Sequence, residues 1–301
     1  MKKNSGSTIY TGLLGHPADD FLFPVVMNRL FGICGLRYAY ECFDVDRDEF
    51  SSVLDEIKMF GFKGVNIAYP GKAAAAYLCD SLDRTSRLSN SVDTILIKNG
   101  KLNGYNTRSR AFLMAARRKG IHIRNSSLTV YGCGETALAI IAESALHGAS
   151  SIYVGADPGE KKYRRLLRLR SELLVSTKCR INIFDPADIN AVEFVLSSSQ
   201  ILVNASGSGM YPDLDGCIIK DPYLLTPKLT VADIVYYPRD TVLLRQAAGF
   251  GCNIIEGLDL LVSQAVSSFR IWTGLKVPEE VLPLLYQSLY QRSVYTEELQ
   301  G

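Results

Sequence analysis

Apolar positions in the first hundred residues alternate between two periods. Runs that read as strands, IYTGLLG (9–15), YAYECFDV (38–45), KGVNIAY (63–69) and VDTILI (92–97), are separated by stretches with helical spacing. Pro24 opens one helix with Val25, Val26, Leu30, Phe31 and Cys34 on a single stripe. A second, begun by Asp46, spaces Phe50, Val53, Leu54 and Ile57 for burial, and a third starts near Lys72. Regular strand–helix alternation predicts parallel pairing in an α/β sheet. GYNTRSRAF (104–112) then reads as a turn running into a helix, and it poses the question whether Arg108 is a surface charge or a site residue.

A second alternating series begins near residue 126. SLTVYGCGETALAIIAESALHG is a β-branched run, a glycine turn and a helix ending at Gly148. SSIYVGAD, RINIFD, QILVNAS and LTVADIVYY continue it as strands, with a basic helix after the first and another helix over 187–197. The chain closes on the helical patterns GLDLLVSQAVSSFRIWTG and PEEVLPLLYQSLYQRS.

Composition changes this picture little. The 301 residues, 47% apolar and 21% charged with a net charge of +2, describe an ordinary two-domain globular chain. Basic and acidic residues interleave, so no nucleic-acid footprint is visible; EKKYRRLLRLR (160–170) reads as a helix with a basic, solvated outer face. Seven scattered cysteines without a C-x-x-C pair and only three histidines argue for reduced thiols and against a zinc site. With neither a signal-peptide pattern nor an apolar run of about 18 residues, the expectation is a cytoplasmic protein that does not engage a membrane.

Gly132-Cys133-Gly134-Glu135-Thr136-Ala137 reads G-x-G-x-x-A between a strand and a helix. Small residues at Gly132, Gly134 and Ala137 permit a tight turn and bring a pyrophosphate to the helix N-terminus, where free N–H groups and the dipole favour negative charge. A nicotinamide dinucleotide, NAD or NADP, is the implied cofactor. Asp157, at the end of the following strand, favours NAD because an acid there takes the ribose hydroxyls, although Lys161 and Lys162 stand within reach of a phosphate. Glu135 counts against such a site unless its carboxylate points away from the diphosphate. Among other candidates, His16 beside Asp19 and Asp20 reads as a loop, Tyr286 and Tyr290 as helix packing, and Asp233 as structural.

With these landmarks in place, the chain resembles the shikimate dehydrogenase family. YTGLLGHP, LFPVVMN, GFKGVNIAYPGK, VDTILIKNGKLNGYNT, GCGETA, LVNASGSGMYP, DIVYYPRDTVLLRQA and GLDLLVSQAVSSFRIWTG stand in the family's order from Tyr10 to Gly274. The resemblance implies an N-terminal α/β substrate domain completed by C-terminal helices (1–107 and 258–301), with an inserted Rossmann-like dinucleotide-binding domain (108–257). It also implies an active site in the cleft between them and NAD(P)-dependent interconversion of a cyclic alcohol and its ketone. Lys72 takes the place of the catalytic lysine, and Asn66, Tyr236 and Gln264 those of substrate contacts. Gly209 and Met210 match the segment near the nicotinamide. The partner is then a small molecule, and the chain is expected as a monomer or homodimer.

The departures fall on the substrate side. Phe21 and Phe23 replace the Ser-x-Ser pair that grips the shikimate carboxylate; Ala68 replaces a threonine; Asp93 replaces an asparagine; Arg108 replaces the aspartate that works with the lysine. The changes at 93 and 108 read as one coupled exchange that keeps a carboxylate near Lys72. In this reading Asp93 pairs with Lys72 or Arg108, Arg108 grips an anionic group, and the two phenylalanines wall an apolar part of a substrate other than shikimate. The alternative is an inactive family member that binds a small anion or a protein partner.

Overall fold

Ile9–Gly15 forms β1, a strand whose last five residues are all buried. The computed structural model describes residues 7–16 and 22–290, so Phe21, Asp19 and Asp20 lie outside the described residues. The chain divides into two units: residues to Thr107 with those from Gln264 onward, and Arg108–Ser263.

After β1, the first unit contains α1 (Leu22–Ile33), β2 (Tyr38–Asp44), α2 (Phe50–Met59), β3 (Gly64–Ile67), α3 (Lys72–Leu78), β4 (Ser81–Leu82), α4 (Arg84–Ser89), β5 (Thr94–Lys98) and β6 (Lys101–Tyr105). Its sheet runs β2-β1-β3-β5-β6-β4. β1 pairs in parallel with β2 and β3, as the alternation predicts, but β5 pairs antiparallel with both β3 and β6. The all-parallel expectation is therefore corrected. Asn99 and Gly100 sit at φ 53° and 71°, the left-handed pair that a two-residue hairpin requires, and they turn the chain straight back.

Phe50, Leu54 and Ile57 of α2 bury against Leu14, Val65, Ile67 and Ile95. Elsewhere in the unit Phe31 meets Phe269, and Tyr40 meets Trp272. Trp272 donates its indole N–H to the Ile95 carbonyl at 3.0 Å. Gly64 makes room for it, since a Cβ there would collide with the Ile95 oxygen and the Trp272 indole nitrogen. Gly64→Ala should accordingly destabilise the unit by about 2 kcal/mol, the usual range for overpacking, read as a lower denaturant midpoint at unchanged slope.

In the second unit, α5 (Thr107–Arg118) starts at the division and is followed by β7 (Ser127–Tyr131), α6 (Glu135–Leu146), β8 (Ser151–Gly155), α7 (Tyr163–Ser176), β9 (Arg180–Phe184), α8 (Ile189–Ser197), β10 (Ile201–Asn204), β11 (Thr230–Asp233), α9 (Val242–Gly249), β12 (Asn253–Ile255) and α10 (Gly257–Thr273), which runs past the division. The six strands are all parallel in the order β12-β11-β10-β7-β8-β9. Strand order reverses between β7 and β10, and in an open parallel sheet that switch point leaves a crevice at the carboxyl ends of the strands. Helix α7 buries Leu166, Leu169 and Leu173 and leaves Arg164 and Arg168 exposed, as its basic outer face predicts.

Candidate active site

The carboxyl edge of the second sheet gathers the glycine loop, Asp157, Gly209, Met210 and Tyr236. Gly132 lies at φ +112°, and a Cβ there would stand 2.7 Å from the Ala205 oxygen beyond β10. Its N–H donates to the Gly155 carbonyl at 2.9 Å. Gly134 caps α6 and has open space where a side chain would project. Ala137 is fully buried, which lets the helix pack closely on the sheet. Glu135 faces Arg165 of α7 at 3.4 Å, which balances its charge beside the loop. A close-packed turn, an open cap and a helix of 12 residues suit a pyrophosphate.

Asp157 is exposed at the end of β8, and its Oδ1 accepts from the Gly159 N–H at 2.8 Å. Glu160, on the same turn, accepts the Cys133 thiol at 3.1 Å. This link between the glycine loop and the turn after β8 leaves no mark in the sequence, because no periodicity signals a pairing 27 residues apart. Burial pushes the Cys133 thiol up to about 12, and the hydrogen bond and charge of Glu160 add to the effect.

Beyond β10, Asn204 organises the loop that carries Gly209 and Met210. Its Oδ1 accepts from the Ser206 backbone and hydroxyl, and its Nδ2 donates to the Ser208 carbonyl and to Asp233. Gly209 takes φ +87° and Met210 is half-exposed. Asp233 also accepts from Val235 N–H and Thr241 hydroxyl, and burial raises its pKa although all three hydrogen bonds oppose the rise. Its role is structural, joining the ends of β10 and β11.

Arg108 and Tyr236 come together. The guanidinium lies over the tyrosine ring, 5.7 Å from its centroid, and Nη2 reaches the Ile234 carbonyl at 3.4 Å. This cation–π placement and the hydrogen bond together hold the guanidinium at the end of β11. Gly257 backs this loop, because a Cβ there would meet the Val235 oxygen and the Tyr236 Cα. Arg239 grips Glu256 through two hydrogen bonds, 2.8 and 3.2 Å, fixing the loop to the start of α10.

In the first unit, Lys72 begins α3, partly buried, and its carbonyl accepts the Val92 N–H at 3.1 Å. That bond ties the backbone at the start of α3 to the residue preceding Asp93. Asp93 is 1% exposed, and its Oδ1 accepts from the Thr107 N–H at 2.6 Å, the Thr107 hydroxyl at 2.7 Å and the Thr94 hydroxyl at 3.0 Å. It therefore stabilises the start of α5, a duty that its place in the sequence does not reveal.

Asn66 is buried in a polar node. Its Oδ1 accepts from Tyr40, and its Nδ2 reaches Thr94, Ser268 and the Asp93 carbonyl. Gln264 lies buried on α10. Phe23 is 3% exposed, with its ring 5.8 Å from that of Tyr40 in the interior of the first unit. His16 bonds Asp44 at 2.9 Å, at the exposed ends of β1 and β2. Among the described residues no cluster of three or more His, Cys, Asp or Glu could hold a metal ion, and no helix is long and apolar enough to cross a membrane.

Residues 13–95 match the family model for the shikimate dehydrogenase substrate binding domain, and residues 257–282 that for the shikimate 5′-dehydrogenase C-terminal domain. Among solved structures, the chain is similar to shikimate 5-dehydrogenase from Listeria monocytogenes in complex with shikimate and NAD, at 28% identity and a TM-score of 0.88, covering 95% of this chain and 99% of that one. Quinate dehydrogenase from Corynebacterium glutamicum in complex with NAD matches at 25% identity and TM-score 0.81, covering 94% and 100%. The Thermus thermophilus shikimate 5-dehydrogenase in complex with NADP(H) and shikimate matches at 25% and 0.79, covering 95% and 100%.

Proposed function

We propose that this chain, a member of the shikimate dehydrogenase family, is an NAD(P)-dependent oxidoreductase that interconverts an alcohol and a ketone on a small cyclic or anionic substrate other than shikimate. The observation that carries the substrate reading is Arg108, its guanidinium over the Tyr236 ring at 5.7 Å from the centroid, where the family resemblance expects an aspartate. A guanidinium is a ready partner for a carboxylate, which it meets through two parallel N–H donors. The lost Ser-x-Ser pair at Phe21 and Phe23 and the gained cation at Arg108 together move the anion anchor from one part of the chain to another.

The dinucleotide, when bound, accepts or returns the hydride. Gly132, Gly134 and the start of α6 take its pyrophosphate, Gly209 and Met210 lie toward the nicotinamide, and Asp157 stands on the turn after β8 whose carboxylates favour NAD over NADP. Lys72 takes the hydroxyl proton on oxidation and returns it on reduction. Asp93 supplies the carboxylate beside Lys72, and Asn66, Tyr236 and Gln264 complete the substrate contacts.

A thermal-shift panel with NAD, NADH, NADP and NADPH tests this reading. Stabilisation of a few degrees by at least one is expected, because a ligand that binds only the native state raises apparent stability. No response to any of the four would favour the second reading, an inactive relative, for which the commitment of Asp93 to helix α5 is the supporting observation.

A further inference from the structure

The Cys133–Glu160 contact joins the middle of the glycine loop to the turn after β8. We infer that Glu160, steered by the Cys133 thiol, selects NAD over NADP by taking an adenosine ribose hydroxyl and excluding a 2′-phosphate. The inference rests on the reading that a dinucleotide binds along this loop.

Asp157 is the residue that position alone would assign to this task. Its Oδ1 is engaged within its own turn, by the Gly159 N–H, while the Glu160 N–H donates to the Asp157 carbonyl at 3.1 Å. The turn thus presents two carboxylates, and they are held differently. A glutamate on an exposed turn ordinarily samples many rotamers. Here Oε2 is fixed by a thiol that is 1% exposed between Gly132 and Gly134, and among the described residues none donates to Oε1. The raised thiol keeps its proton at any physiological pH, so Cys133 remains a donor to the carboxylate.

A carboxylate accepts hydrogen bonds from a ribose diol but repels a doubly charged phosphate in the same place. Lys161 and Lys162 follow on the turn and attract a phosphate, but both are exposed, where water and salt screen them. Glu160 is the charge tied to the loop itself.

Dissociation constants for NADH and NADPH, measured by calorimetric titration of wild type, Glu160→Gln, Cys133→Ala and Asp157→Asn, test the assignment. Wild type should prefer NADH by about tenfold or more, a free-energy difference of about 1.4 kcal/mol. Glu160→Gln should reduce that preference to about threefold or less, chiefly through tighter NADPH binding, with Cys133→Ala intermediate. An unchanged ratio in Glu160→Gln, or loss of preference in Asp157→Asn alone, overturns the inference while leaving the proposed function intact. Failure of wild type to bind either nucleotide overturns both.

Discussion

Lys72→Met should lower turnover by about 100-fold or more, the range over which a positioned proton-transfer group contributes, with nicotinamide nucleotide affinity unchanged. Methionine keeps much of the lysine stem's volume and removes its proton-carrying head. The substitution falls at the first residue of α3, and the backbone bond from Val92 N–H to the Lys72 carbonyl does not depend on the side chain. The fold should therefore survive. Steady-state turnover together with nucleotide titration separates the outcomes: a variant that binds cofactor normally and retains more than about a tenth of wild-type turnover would remove Lys72 from the chemistry.

Asp93→Ala should destabilise the protein by about 3 kcal/mol. Two contributions add: loss of an acceptor at a helix start costs about 1–2 kcal/mol, and leaving buried donors without a partner costs about 1–3 kcal/mol. The donors at risk are the Thr107 N–H, the Thr107 hydroxyl and the Thr94 hydroxyl. Asp93→Asn separates capping from charge. Its amide oxygen can replace Oδ1, so most of the stability should return, while the carboxylate's negative charge is gone. Chemical denaturation of the two variants checks this: equal losses would mean that the carboxylate's charge at the α5 N-terminus, rather than its role as an acceptor, stabilises the helix.

The two series of alternating strands and helices are legible in the hydrophobic pattern because each strand is buried on one or both faces and each helix shows one apolar stripe. β1 falls on the predicted IYTGLLG, and of the predicted helix stripe Val26, Leu30 and Phe31 are buried while Val25 and Cys34 are half-buried. Strand β6 does not stand out in that pattern, although Asn99-Gly100 between apolar runs is a hairpin signal; its short, mixed run merges with the turn that leads into α5. With β6 hidden, the antiparallel half of the first sheet is hidden too.

Within the candidate site, the glycine loop is readable from local spacing, and Arg108 and Tyr236 from their places in family landmarks. What lies beyond reach are pairings between distant positions. Asn66 meets Ser268 across 202 residues, and Cys133 meets Glu160 across 27. Periodicity reports which face a residue occupies and carries no information on the partner across it. The capping role of Asp93 belongs to the same class, since a residue ahead of β5 serves a helix that begins fourteen positions later.

The central claim is that Arg108 anchors an anionic substrate for nicotinamide-dependent hydride transfer. It is tested most directly by initial rates, followed through nicotinamide absorbance, for wild type and Arg108→Ala on cyclic hydroxy acids, their uncharged amides and shikimate. The account predicts turnover of a carboxylate-bearing substrate other than shikimate, with kcat/KM reduced about 30-fold in Arg108→Ala, equivalent to about 2 kcal/mol for a lost charged hydrogen bond, and little effect on the amide. Robust turnover of shikimate by the wild type, or carboxylate kinetics unchanged in Arg108→Ala, would contradict it.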